Sequence, residues 1–105
     1  SMTNIQVLQM PAFKQVYKKL HAQEKNVVDH AIQAIVKDPK LGQGKTGDLT
    51  GVFVYKFKIR QQEMLLAYEW DPKQRLLLAL GVHENFYRGL KTHKRLAFDA
   101  PHPLF

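Results

Sequence analysis

Two lysines, a histidine and a tyrosine are the residues of this sequence best suited to chemistry. Lys56 and Lys58 lie two residues apart in the run V-F-V-Y-K-F-K-I at 52–59. Strand side chains alternate between the two faces of a sheet, so both ammonium groups should face the same side. His83 and Tyr87 follow a later apolar run, where we expect a strand to end. Two cations with titratable groups beside them can bind a phosphodiester and cut it.

Cleavage of an RNA phosphodiester needs three catalytic contributions from a protein: deprotonation of the 2′-hydroxyl, stabilisation of the phosphorane and protonation of the 5′-oxygen. Lys56 and Lys58 would supply charge and a base. His83 is a natural acid or base near neutral pH, and Tyr87 would stack on a nucleobase or assist proton transfer. The structural alternatives are a solvated sheet face for the lysines, a backbone-bonded histidine and a half-buried tyrosine.

Further cations could hold the phosphate backbone without reading its sequence. The chain has 16 Lys and Arg against 9 Asp and Glu, a formal charge of +7. This balance favours a polyanionic or acidic partner, the alternative being an ordinary basic surface. The candidate substrate-binding residues are a turn arginine beside the lysine strand and a basic run after the last strand: Arg60, Arg88, Lys91, Lys94 and Arg95.

Other function classes find no support in the sequence. The chain has no cysteine, and its remaining histidines show no ligand spacing, so we expect neither a metal nor a cofactor. No apolar run approaches the roughly 20 residues that span a bilayer. We therefore expect a cytoplasmic protein with no membrane partner. Ser1 before Met2 is interpreted as a scar of tag removal.

The apolar pattern predicts the elements that must position these residues. Three apolar runs between 52 and 87, with breaks at 60–63 and 71–74, predict an antiparallel meander. Residues 5–9 alternate like a first strand. Two helical stripes lie between, the second ended by Asp38-Pro39, and we expect both to be core: Phe13, Val16, Tyr17 and Leu20, then Val28, Ala31, Ile32 and Ile35.

The remaining segments complete the expected fold. The glycine-rich stretch 40–51 reads as a loop. Asn85 would cap a short third helix, and 92–105 would be a tail. A length of 105 residues suits one domain, 1–105. We expect an α+β fold, with two N-terminal helices packed on a small, mainly antiparallel four-stranded sheet and a short C-terminal helix.

This order of elements resembles the RelE/ParE superfamily of bacterial type II toxin–antitoxin toxins. The resemblance extends to about Lys91. It rests on four segments: Gly47-Asp48-Leu49-Thr50-Gly51, Tyr55-Lys56-Phe57-Lys58-Ile59, Leu66-Ala67-Tyr68-Glu69, and Leu80-Gly81-Val82-His83-Glu84-Asn85-Phe86-Tyr87-Arg88.

The resemblance implies one of two activities, since RelE-like members cut mRNA on the ribosome without a metal and ParE-like members inhibit DNA gyrase. Lys56 and Lys58 match the RelE-type Y-K-x-K pattern, while His83 and Tyr87 match its later basic and aromatic positions. The arginine usual on the next strand is replaced by Leu65, and Arg60 would compensate for it. Fold alone does not decide between the activities.

The first hypothesis is therefore a RelE-like endoribonuclease, an mRNA interferase that inhibits translation and is held inactive by its antitoxin. Its partners would be a cognate antitoxin, mRNA and the ribosome. Leu65 favours the alternative of a ParE-like gyrase inhibitor without nuclease activity. A third possibility is an inactive homologue that only binds an antitoxin.

Overall fold

A computed structural model describes residues 4–82, 86 and 102–104 of the chain. Two helices precede most of the strands, as the sequence predicts. The elements in chain order are β1 Gln6–Gln9, α1 Pro11–Tyr17, α2 Ala22–Lys37, β2 Gln43–Gly44, a 3₁₀ turn Gly47–Leu49, β3 Phe53–Ile59, β4 Gln62–Asp71, β5 Gln74–Gly81 and β6 His102–Pro103.

The strands form one mixed sheet in the order β2-β3-β4-β5-β1-β6. The meander β3-β4-β5 is antiparallel, as predicted, whereas β1 pairs with β5 in parallel. The prediction of four strands was wrong, because two-residue strands pair at both edges, β2 with β3 and β6 with β1. The segment 92–105, which was expected to be a tail, contains β6, and its prolines at 101 and 103 do not indicate a strand.

A short C-terminal helix is not shown in the described part of the chain. The segment predicted to form it, 85–90, lies outside the described residues except for Phe86. Phe86 is buried, and a Cβ added at Gly81 would lie 2.8 Å from its ring. The end of β5 is therefore glycine because an aromatic ring occupies the space of a side chain.

Strand β3 divides its side chains between the two faces of the sheet, as its alternation predicts. Phe53, Tyr55, Phe57 and Ile59 pack into a cluster with the helices. Val52 and Val54 join a second cluster on the opposite face, together with Leu65, Ala67, Leu78 and Phe86. We call these the helix face and the second face.

Helices α1 and α2 bury their apolar stripes on the helix face, except for Val16 of α1, which is exposed. Pro11 occupies the first turn of α1, where a missing N–H costs nothing. In α2 the predicted stripe Val28, Ala31, Ile32 and Ile35 is buried throughout. The Glu24 carboxylate accepts the His21 N–H at 2.9 Å, which stabilises the start of α2. The helix ends at Lys37, directly before Asp38-Pro39, as expected.

A bulge interrupts the pairing of β4 with β5. Ala67 pairs with Ala79, but Tyr68 pairs with Leu77, so β5 contains one extra residue. Leu78 and Ala79 consequently both contact the second-face cluster, although they are consecutive. The unbroken apolar run of β5 hides this change, because every residue near the bulge is apolar.

Arg75 on β5 is buried and holds the C-terminal end of α2. Its Nε donates to Ile35 O at 2.9 Å and one Nη to Val36 O at 2.9 Å. Its other Nη donates to the carbonyls of Asp71 and Gln74. Burial lowers the pKa of Arg75 while nearby Asp71 raises it. The guanidinium thus supplies donors to helix carbonyls that have no partner within the helix.

Tyr68 fixes the loop that leads from α2 to β2. Its hydroxyl donates to Pro39 O at 2.6 Å and accepts the Gly42 N–H at 2.9 Å. Burial raises the pKa of Tyr68, which favours the neutral donor. A Cβ at Gly42 would lie 2.6 Å from this hydroxyl, so only glycine fits there.

Candidate functional site

Lys56 and Lys58 lie together on the second face of β3, and both are exposed. The structure therefore brings the two predicted lysines to one side of the sheet, about 7 Å apart along the strand. Buried Val54 precedes them on the same face and belongs to the second cluster. Two ammonium groups next to apolar surface attract an anion more strongly than the same groups in open solvent.

The residues opposite these lysines on β4 differ in character. Lys56 pairs with Leu65, and Lys58 pairs with Glu63. Leu65 is only 7% exposed and packs in the second cluster. The position expected to hold an arginine is thus part of the apolar core, and an added guanidinium there would have to displace that packing.

Glu63 sets a limit on the positive charge at the end of the lysine strand. It is exposed and lies directly across from Lys58, and no ion pair within 4 Å joins them among the described residues. A carboxylate at this separation still weakens the attraction of Lys58 for phosphate. Lys56, opposite a leucine, has no such neighbour across the ladder.

Arg60 lies in the two-residue turn between β3 and β4 and has a φ of +57°. A positive φ is uncommon for a residue with a side chain, and in a two-residue hairpin it matches the twist of the strands. Arg60 is exposed and lines a groove with residues of the helix face, where Glu24 also lies. It was predicted to replace the cation missing at Leu65, but its side chain borders the opposite side of the hairpin from Lys58.

This groove lies between the helices, the β3–β4 turn and the end of β5. Its volume is about 670 Å³. The prediction that Val16 belongs to the core was wrong, because α1 ends at Tyr17 and leaves Val16 37% exposed at the groove. The apolar lining comes from α1, the connection between the helices, strands β3 and β4 and the end of β5: Val16, Leu20, Ile59, Met64, Leu80 and Val82. We call this surface the hairpin groove.

The remaining predicted site residues lie outside the described part of the chain. These are the two candidates for proton transfer and stacking and the basic run after β5: His83, Tyr87, Arg88, Lys91, Lys94 and Arg95. Their roles stay predictions. In the glycine-rich stretch, Gln43–Gly44 form β2, and the N–H of Gly42 donates to the hydroxyl of Tyr68.

Sequence reasoning missed Arg75, Tyr68 and the hairpin groove. An arginine next to the run L-L-L-A-L is a signal for a buried cation, but its partners are carbonyls of α2 that a sequence does not place. Among the described residues, no three His, Asp or Glu side chains converge in a way that could hold a metal ion. None of the helices in this part is long and apolar enough to traverse a bilayer.

Comparison with solved structures finds bacterial toxins with the same fold. The intact Escherichia coli RelBE toxin–antitoxin complex contains a chain 17% identical to this one, with a TM-score of 0.60 over 76% of this chain and 98% of that chain. The RelBE complex of Mycobacterium tuberculosis gives 18% identity and a TM-score of 0.63 over 77% and 100%. The YoeB dimer of Staphylococcus aureus gives 14% and 0.62 over 78% and 100%.

At these identities the structural similarity establishes the fold alone. A search of curated proteins finds no match. The family assignment comes from the sequence, because the family model for the ParE-like toxin of type II bacterial toxin–antitoxin systems matches residues 7–91. That range contains both helices, the whole meander and the lysine pair. The chain therefore belongs to the ParE-like toxins of type II bacterial toxin–antitoxin systems, within the RelE/ParE superfamily.

Proposed function

We propose that this toxin is a RelE-like endoribonuclease that cuts mRNA on the ribosome and so inhibits translation. The observation that carries the proposal is the exposed pair Lys56 and Lys58 on one face of β3. A gyrase inhibitor needs only a binding surface, whereas two cations beside an apolar floor suit a phosphodiester undergoing reaction. The cognate antitoxin would keep the toxin inactive by covering this face.

The reaction is an internal transfer of the phosphoryl group. A base takes the proton of the 2′-hydroxyl, and the 2′-oxygen attacks phosphorus. The bond to the 5′-oxygen then breaks as an acid protonates that oxygen, which leaves a 2′,3′-cyclic phosphate and a 5′-hydroxyl. Each positioned acid or base contributes about 10² to 10⁴-fold.

In this proposal Lys56 and Lys58 bind the scissile phosphate and stabilise the charge of the phosphorane. His83 transfers a proton, because histidine is the side chain suited to both acid and base catalysis near neutral pH. Tyr87 stacks on a nucleobase. Arg88, Lys91, Lys94 and Arg95 hold neighbouring phosphates.

Leu65 makes the proposed enzyme slower than one with an arginine at that position. Removal of one preorganised donor from a comparable site costs about 10² to 10³-fold in rate. Because Leu65 is buried in the second cluster, nothing at this position of β4 restores the charge. The same observation favours a second candidate function, a ParE-like inhibitor of DNA gyrase without chemistry.

The test compares the double variant Lys56→Ala/Lys58→Ala with the parent during translation of a reporter mRNA by purified ribosomes, with mapping of new 5′ ends. Lys14→Ala/Lys18→Ala is a matched control, because it removes the same charge from two exposed lysines, one in α1 and one directly after it. We expect the parent and the control to cut, and the β3 variant to cut at least about 100-fold more slowly.

Two results would contradict the nuclease proposal. One is equal cutting by the β3 variant and the control. The other is a parent protein that generates no new 5′ ends. In the second case a parallel DNA supercoiling assay separates a gyrase inhibitor from a homologue that only binds an antitoxin.

A further inference from the structure

We propose that Glu63 is the base of the cleavage reaction, the group that takes the proton from the 2′-hydroxyl of the RNA. The inference rests on the proposed function, in which the lysine pair holds the phosphate and His83 transfers one of the two protons. It assigns the other proton transfer, which that scheme leaves without a residue. It also identifies a group that would distinguish RNA from DNA on the second face.

Glu63 lies on the same face of the sheet as the lysine pair. It is directly opposite Lys58 in the β3–β4 ladder and diagonal to Lys56, which pairs with Leu65. Residues directly opposite have Cβ atoms about 5 Å apart, and diagonal neighbours are about 7 Å apart. All three charged side chains are exposed. A phosphate that contacts both ammonium groups therefore lies within reach of the Glu63 carboxylate.

The carboxylate of Glu63 is open to a ligand. The backbone carbonyl of this residue accepts a hydrogen bond from the Gln62 side chain, but no described residue forms a hydrogen bond or an ion pair with the carboxylate itself. Glu24, by contrast, uses its carboxylate to accept the His21 N–H at the start of α2. Glu63 thus keeps both side-chain oxygens for a substrate, whereas Glu24 has a structural role.

A carboxylate suits the role of base better than either lysine. When ionised it has acceptor oxygens only, whereas a protonated ammonium has three donors and no acceptor. A lysine would have to lose its proton before it could act as a base, and it would then lose the charge that binds phosphate. The cations therefore hold the phosphate while the carboxylate takes the proton.

The other carboxylates of this face lie too far from the lysines. Strand alternation places Glu69 and Asp71 on the same side of β4 as Glu63. Glu69 is six residues further along the strand, about 20 Å away, and Asp71 is more distant still. Among the described strand residues, Glu63 is thus the carboxylate at the lysine end of the second face.

Apolar surface borders the proposed base on its inner side. Leu65 follows Glu63 on the same face and pairs with Gly81, where the ring of Phe86 occupies the space of a side chain. Leu65 and Phe86 are both buried in the second cluster. Charged groups interact more strongly beside apolar surface than in open water. A hydrogen bond from a 2′-hydroxyl to Glu63 is strengthened in the same way.

In the proposed step, the Glu63 carboxylate accepts the 2′-hydroxyl proton while the 2′-oxygen forms its bond to phosphorus. The attacking oxygen stands about 3 Å from phosphorus before that bond forms, so a base beside the bound phosphate is also beside the hydroxyl. The bond from phosphorus to the 5′-oxygen breaks, and this oxygen takes its proton from His83. Water then removes the proton from Glu63 and returns one to His83. DNA lacks the hydroxyl and leaves the carboxylate without a donor.

The proposal makes a distinctive prediction for Glu63→Gln, which removes one negative charge with little change in shape. If the carboxylate only weakened the attraction of Lys58 for phosphate, its removal would leave cutting unchanged or make it faster. Loss of a base instead slows cutting by about 10² to 10⁴-fold. RNA should bind Glu63→Gln as tightly as the parent or more tightly, because a repulsive charge is gone. Rate and affinity should therefore not fall together.

The experiment uses reporter mRNA on purified ribosomes and the full-length toxin. Single-turnover cleavage gives the rate. Affinity is measured with the same mRNA carrying one 2′-deoxyribose at the cleavage position mapped for the parent, which binds but cannot react. Glu69→Gln is the matched control, since it removes the same charge from the same face and strand, and it should cut like the parent. Glu63→Asp restores a carboxylate and should cut faster than Glu63→Gln.

The proposal is overturned when Glu63→Gln cuts as fast as the parent or faster, because the carboxylate then only screens Lys58. Slow cutting together with weaker binding of the unreactive mRNA would overturn it too, since Glu63 would then act by positioning Lys58. Equal slowing by Glu69→Gln, or equal rates for Glu63→Asp and Glu63→Gln, would also count against a base at this position. Each of these results leaves a parent that cuts, whereas a parent that generates no new 5′ ends refutes the nuclease proposal as well.

Discussion

Replacement of Arg75 should destabilise the whole fold, and the structure allows the size of the effect to be worked out. In Arg75→Ala, the carbonyls of Ile35 and Val36 at the end of α2 lose their donors. A buried acceptor left without a partner costs about 1–3 kcal/mol. The turn carbonyls of Asp71 and Gln74 cost less, because water can reach them.

Two other terms adjust this value. The ring of Trp70 lies 5.8 Å from the guanidinium carbon, and its contact is lost with the side chain. The variant also no longer buries a cation, and the loss of that desolvation cost raises its stability. We expect a net loss of about 3–5 kcal/mol in the free energy of unfolding. A domain of this size has roughly 5–15 kcal/mol in total, so the variant should be marginally folded.

The assay is urea unfolding of the full chain followed by circular dichroism, with thermal unfolding as a second measure. At about 4 °C per kcal/mol, the melting temperature should fall by roughly 12–20 °C. Lys73→Ala, an exposed residue in the adjacent turn, is the control and should stay within about 0.5 kcal/mol of the parent. A loss below about 1 kcal/mol for Arg75→Ala would show that the helix end does not depend on the guanidinium.

Two further predictions concern tyrosine hydroxyls. Tyr68→Phe should cost about 1–3 kcal/mol and speed amide exchange of Gly42, because the hydroxyl accepts that N–H; unchanged exchange would contradict this role. The Tyr17 hydroxyl donates to Asp29 at 2.7 Å, and burial and that carboxylate raise the pKa of Tyr17 from 10 to about 12. The neutral phenol thus adds stability that is complete below pH 10 and is lost between pH 10 and 12. In urea unfolding measured against pH, Tyr17→Phe should lack this decline in the free energy of unfolding. Equal declines in the variant and the parent would refute the prediction.

The parts of the fold predicted correctly are those that one local pattern determines. Strict alternation in 52–59 assigned Lys56 and Lys58 to one face, because a period of two leaves no other arrangement in a strand. The stripe of α2 was equally clear, and all four of its predicted core residues are buried. Asp38-Pro39 ended the helix at the expected place, since proline restricts the residue before it.

The parts that were mispredicted depend on how separate elements meet. Val16 has the spacing of a core residue, but it lies in the last turn of the short α1 and borders the hairpin groove, where it is exposed. Strands β2 and β6 have two residues each, too few to show a period. The hairpin groove combines residues from five elements, α1, α2, β3, β4 and β5, and no single stretch of the sequence contains them all.

The candidate site shows the same division between features that one strand determines and features that depend on contacts between elements. The lysine pair followed from one strand, whereas the side of the hairpin on which Arg60 lies follows from its backbone conformation. Leu65 was recognised as a departure from the RelE-type pattern. Its burial in a cluster that joins three strands and Phe86 could not be read from the chain.

The extra residue in β5 determines which homologous positions are equivalent. If β5 ran through these residues without the bulge, every side chain from Gln74 to Leu78 would change faces, and Arg75 would emerge on the side of the lysines, away from α2. A relative that lacks the extra residue, and whose last long strand is one residue shorter, therefore keeps the position of Arg75 on the side of α2. When such chains are aligned, a gap belongs between Leu77 and Ala79, because only that placement preserves the side of the sheet on which each residue lies.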